Sequence, residues 1–98
     1  MTEMEIKTID YLLESNLHEQ RFSLRMTNVR WRRMQEKEAH LDKHQHSKEF
    51  WRAYGSYRYT KSMVAAYENL IRLWEKERSL HQRDRKEMIC GTEVLAKP

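Results

Sequence analysis

The chain is poor in the residues that interrupt regular structure: its 98 residues hold two glycines, Gly55 and Gly91, and one proline, Pro98. A β-rich domain needs many tight turns built from those residues, so their scarcity favours helices. A single cysteine, Cys90, excludes an internal disulfide and fits a reducing compartment. The longest unbroken apolar run, Met63 to Tyr67, falls far short of the ~20 residues that span a bilayer. The acidic start Met1-Thr2-Glu3-Met4-Glu5 lacks the basic and apolar regions of a secretory signal. A cytoplasmic protein with no membrane partner is expected. Aliphatic and Phe core formers are also few: Leu, Ile, Val and Phe together are 18 of 98 residues. Composition that low borders on disorder, but the companion signal of a large net charge is absent at +4. The expectation is one folded domain over 1–98 with a small core, completed by a partner or by a second copy in a homodimer.

Catalytic signatures are lacking as well. No Gly-rich phosphate loop, nucleophile elbow, Cys–His pair or paired-carboxylate pattern occurs. A short helical chain without a cofactor cradle offers poor material for a buried pocket. Neither enzymatic activity, nor a cofactor, nor a small-molecule substrate is expected. His40 and His44 stand one helical turn apart, but zinc needs three or four ligands, Cys90 is distant, and Asp42 lies off their shared face. No metal site is expected; with His46 they make a polar face.

What the chain does contain is 3 Trp, 5 Tyr, 6 Met and 11 Arg, types enriched in contact patches. Their charge is unevenly spread. Residues 1–20 carry five acids against one base, residues 21–61 eleven bases against four acids, and residues 62–98 seven bases against six acids. An anionic partner would therefore dock on the middle third.

The coarse pattern is helical. Thr2 to Glu5 matches a capping box, and Ile6, Ile9, Leu13 and Leu17 recur at helical spacing, predicting a first helix to about residue 20. Phe22, Leu24 and Met26 alternate with Arg21, Ser23 and Arg25, and Val29 and Trp31 alternate with Arg30 and Arg32. A short β-hairpin around 21–33 is thus an alternative to helix. Against it, Leu17, Leu24, Trp31, Met34 and Leu41 continue a helical stripe, and Thr-Asn makes a poor two-residue turn. Helix is favoured, broken near Thr27-Asn28, and polar helix is expected from Met34 to His46. Phe50, Tyr54 and Tyr57 then fall at helical spacing, and Gly55 marks a bend. The clearest element is a helix over about 61–90, with Met63, Ala66, Tyr67, Leu70, Leu73 and Trp74 on one stripe and Gly91 at its end. Its second half, Glu75 to Glu87, has only Leu80 as an apolar residue and should project into solvent or lie along a partner. The tail 92–98 should fray. The fold class expected is all-α: two long antiparallel helices with one or two short connecting helices.

Two clusters carry the functional expectation. Arg30-Trp31-Arg32-Arg33, with Arg21, Arg25 and Lys37, offers guanidinium groups suited to phosphate and a tryptophan able to stack on a base. On a helix, Arg21, Arg25 and Arg32 share one face and Arg30, Arg33 and Lys37 another; the competing reading is a solvated surface with Trp31 buried. In the segment from Phe50 to Lys61, aromatics interleave with bases as in single-strand grooves. There Phe50, Tyr54 and Tyr57 read as core, while Trp51, Arg52, Arg58, Tyr59 and Lys61 are candidates for contact. The leading reading is a non-enzymatic accessory module that binds nucleic acid or a nucleic-acid-processing complex. The alternative is an adaptor or inhibitor, similar in character to the compact accessory proteins of phages and plasmids, that docks on a larger protein through Trp, Tyr and Met faces and its long C-terminal helix.

Overall fold

A computed structural model describes the backbone of residues 1–96 and the side chains of residues 1–80. Two helices, α1 (Glu3–Lys37) and α2 (Lys48–Ala96), run antiparallel and pack along one another, with no strand among the described residues. The fold is all-α, a helical hairpin 82 Å long and 22 × 15 Å in section.

The start of α1 is the expected capping box. The Glu5 amide donates to Thr2 Oγ1 and the Thr2 amide to Glu5 Oε2, each at 3.2 Å, so two orphan donors are satisfied reciprocally. The inner face of α1 follows two series of sevenfold spacing: Ile6, Leu13, Gln20, Thr27, Met34 and Asp10, Leu17, Leu24, Trp31. On α2 the partners are Phe50, Tyr57, Val64, Ile71, Arg78 and Ala53, Thr60, Tyr67, Trp74. Every residue of these series is buried or half-buried. A 3–4 alternation of this kind is the seam of a two-stranded antiparallel coiled coil. The seam is thin: among the described side chains, Leu17, Phe50, Ala53 and Val64 are the buried apolar residues, and no large one is fully enclosed.

Several local expectations are corrected. α1 does not stop near residue 20 or break at Thr27-Asn28, and 21–33 is not a hairpin. Leu24 faces α2 whereas Phe22 and Met26 face solvent, the distribution of a helix. Thr27 costs the helix little because its hydroxyl donates to the Leu24 carbonyl at 3.1 Å or shares a 2.7 Å hydrogen bond with Thr60, itself tied to Ser56 and Tyr57 carbonyls. The expected polar helix from Met34 to His46 ends at Lys37, and no short helix connects the two long ones: residues 38–47 form turns. Gly55 does not interrupt α2, and Gly91 does not end it; α2 begins at Lys48 and continues to Ala96. Nor does all of the polar stretch after Glu75 leave the core, since Arg78 pairs with Asp10 on α1. The side chains beyond residue 80, including Cys90 and the tail 92–98 expected to fray, lie outside the described residues.

Gly55 yields a direct test. A Cβ built there meets nothing within 4 Å, and its φ is not positive. Gly55→Ala should therefore stabilise the hairpin by about 0.5–1 kcal/mol, read as a rise in thermal midpoint, by removing backbone freedom from the unfolded chain. An unchanged or lower midpoint would mean that the glycine serves a purpose other than packing.

Candidate nucleic-acid interface

The connection that sets the two helices against each other is built on Glu38, a carboxylate buried at the end of α1. Its Oε1 accepts from the Ser47 amide at 2.7 Å and its Oε2 from the Ser47 hydroxyl at 2.6 Å. That hydroxyl also accepts from the Phe50 amide at 3.1 Å, so Ser47 caps α2 while holding the end of α1. His46 completes the clamp, its ring 3.4 Å from Glu38 Oε1 and stacked on Phe50 with centroids 3.8 Å apart.

The Ser47 hydroxyl hydrogen bond, helped by the Ser47 amide and His46, holds the Glu38 carboxyl below its ordinary value of 4.5 against the opposing effect of burial. A lowered folded value means that Glu38 contributes stability above pH 4.5. That contribution is lost as pH falls from there through the folded value. Urea midpoints of the wild type and Glu38→Gln, compared at neutral and acidic pH, should differ near neutrality and converge in acid. A constant difference would contradict the role of the charge.

At the middle of the hairpin, Trp31 lies in the seam, packed edge-on to Phe50 (centroids 4.8 Å) and tilted on Tyr54 (5.0 Å). It is a packing residue, not an exposed stacking platform. At the open end, Trp74 Nε1 donates to Asp10 Oδ1 at 2.6 Å and Arg78 pairs with Asp10 Oδ2.

The Arg21–Glu68 ion pair, at 3.4 Å, fixes which flanks of the two helices lie side by side. Lys61 is seven residues from Glu68 and shares its stripe, and Arg25 and Arg32 continue the stripe of Arg21. Because the helices are antiparallel, moving from Arg21 to Arg32 on α1 runs back from Glu68 to the level of Tyr57 on α2. One flank of the loop half thus collects Arg25, Arg32, Arg58 and Lys61. All four are exposed, and none is ion-paired among the described residues. Lys61 Nζ lies 5.8 Å over the Tyr57 ring. An open depression of about 580 Å³ on the same flank is lined by Tyr54, Tyr57, Arg58 and Lys61. Trp51, 43% exposed, stands one and two turns before Tyr54 and Arg58, its ring steadied by Phe50 (5.1 Å) and Tyr54 (6.1 Å).

Of the residues singled out in the sequence, Arg21, Arg25, Arg32, Trp51, Arg58 and Lys61 therefore share one flank, although Arg21 is engaged by Glu68. Arg30, Arg33, Arg52 and Tyr59 are exposed but belong to the opposite flank, so the Arg30–Arg33 run is divided between the two sides. Tyr54 and Tyr57, read as core, are half-buried and contribute to the basic flank; their place beside Arg58 and Lys61 at helical spacing was the available signal. No group of three His, Cys, Asp or Glu residues suited to a metal ion occurs among the described residues, and none of their helices is long and apolar enough to cross a membrane. No family model matches the chain, and no curated protein or solved structure matches it.

Proposed function

We propose that this chain is a non-enzymatic binding module that holds nucleic acid against the basic flank of its loop half. The observation that carries the reading is the collection of Arg25, Arg32, Arg58 and Lys61 on one side of the hairpin without carboxylate partners among the described residues. Unpaired, exposed cations in a row attract a polyanion and release its counterions. Arg25 and Arg32 are about 10 Å apart along α1, a spacing that lets one strand cross both. Trp51 supplies an aromatic face beside them on which an unpaired base can stack. Titration of the full chain into labelled duplex DNA, single-stranded DNA and hairpin RNA tests the reading. Binding of at least one, weakening steeply with salt, supports it; equal failure to bind all three overturns it.

A second reading rests on a different surface. Phe22, Met26 and Val29 lie on the side of α1 turned away from α2 and are 47–58% exposed. An apolar triplet at i, i+4 and i+7 is the anchor pattern of a helix docking on a protein. On this reading the chain is an adaptor or inhibitor. Phe22→Glu with Val29→Glu would then abolish association with a protein target and leave nucleic-acid affinity unchanged.

A further inference from the structure

α2 carries a second heptad seam that α1 does not cover. Tyr59, Met63, Ala66, Leu70, Leu73 and Leu80 follow one another at intervals of four and three, with Glu77 the one polar member. The intervals match those of the seam facing α1, rotated to the flank opposite the Arg21–Glu68 pair. Tyr59, Leu70, Leu73 and Leu80 are each at least 46% exposed, and Met63 is half-buried. A helix needs one such seam to pair with one neighbour; a second implies a second helical neighbour.

We propose that this neighbour is α2 of a second copy of the chain, packed antiparallel about a two-fold axis near Leu70, giving a four-helix bundle. Three features select this occupant. First, the seam comes within one residue of matching itself when reversed. Turned about a point between Asn69 and Leu70, the seam opposes Tyr59 to Leu80 and the small Ala66 to the large Leu73, and sets Leu70 beside its own copy, the self-complementarity an isologous contact requires. Second, charge selects the antiparallel sense. Residues 1–20, with a net of four negative charges, lie towards the open end, and residues 21–61, with seven net positive charges, occupy the loop half. Parallel docking would set like ends together, whereas antiparallel docking places each acidic end against a basic one. Third, four buried apolar residues among the described side chains of residues 1–80 are a small core for two long helices, and the second seam supplies what a single hairpin lacks. Leu12, exposed on the same flank of α1, extends the apolar surface towards the acidic end. The dimer leaves the basic flank open on both copies.

Sedimentation equilibrium of the full chain tests this. At about 100 µM the mass should be twice the 12.1 kDa of the monomer. Leu70→Glu with Leu73→Glu should weaken association at least ~30-fold, with helical circular dichroism retained because both side chains point away from α1. Orientation is read by oxidative cross-linking in a Cys90→Ser background. Ser62→Cys mixed with Lys76→Cys should give the mixed disulfide dimer, whereas Ser62→Cys alone should not cross-link. A monomer at all concentrations would overturn the proposal, as would a dimer unaffected by the Leu70 and Leu73 changes. Self cross-linking of Ser62→Cys would overturn the antiparallel arrangement.

Discussion

Trp31→Ala is expected to remove roughly half or more of the hairpin's stability. Trp31 is the largest side chain in the α1 seam and bridges Phe50 and Tyr54, two of the aromatics at the start of α2. Phe50 in turn stacks on His46, which reaches Glu38, so the indole supports the helix connection as well as the seam. Truncating a packed Trp to Ala costs about 3–5 kcal/mol, and partial exposure places Trp31 near the lower end of that range. A chain of this length has roughly 5–15 kcal/mol in all, and so small a core places it near the bottom of that range. The loss should therefore appear at 222 nm as a melting midpoint lowered by about 12 °C or more, at about 4–8 °C per kcal/mol. A fall of only a few degrees would mean that the seam around Trp31 is not where the stability resides. Trp51→Ala is the control: its ring is 43% exposed and lies outside the seam, so it should lower the midpoint far less.

The second large effect concerns binding. Reversing Arg25, Arg32 and Lys61 to Glu changes the charge of the basic flank by six units without replacing a seam residue, and all three side chains are exposed and without ion-pair partners among the described residues. Affinity for nucleic acid should fall on the order of 100-fold or more, because each lost phosphate contact is replaced by repulsion. Reversing Arg30, Arg33 and Arg52 makes the same change in net charge on the opposite flank. If net charge alone governed binding, the two sets would be equivalent. The geometry predicts that the first set is the more damaging, and equal losses would remove the basis for assigning the site to one side. Helical signal and melting midpoint, measured for both sets, separate loss of binding from loss of fold.

The sequence made the helical class legible because glycine and proline are scarce and the apolar residues recur at helical spacing. It concealed the continuity of the two helices because polar residues occupy seam positions. Gln20 and Thr27 interrupt the stripe that joins Leu13 and Leu17 to Trp31 and Met34. Their compatibility with a packed interface depends on Thr27 meeting Thr60 across it, a pairing invisible to local pattern. Arg78 made the region after Glu75 look solvent-bound, yet Asp10 on the other helix neutralises it. Gly55 suggested a bend, but its outward position leaves the helix unbroken. In the candidate site, the excess of base in residues 21–61 was plain, whereas the division of Arg30, Arg32 and Arg33 between flanks required knowing which side of α1 faces α2. The burial of Trp31 was one of two readings open to the sequence, and the continuous seam decides it. The connection from Glu38 to Ser47 was not foreseen, since a buried Glu at a helix end resembles any other acid until its partners are in place.

The central claim, that cations on one flank hold a polyanion, is tested most directly by the salt dependence of affinity. The comparison is between the wild type and a variant with Arg25, Arg32 and Lys61 replaced by Gln, using the nucleic acid the wild type binds best. If each of the three meets a phosphate, the slope of log affinity against log salt should be shallower in the variant by about 2–3. Identical slopes, with the variant binding as tightly as the wild type at every salt concentration, would contradict the claim and transfer the function to the apolar surfaces of the hairpin.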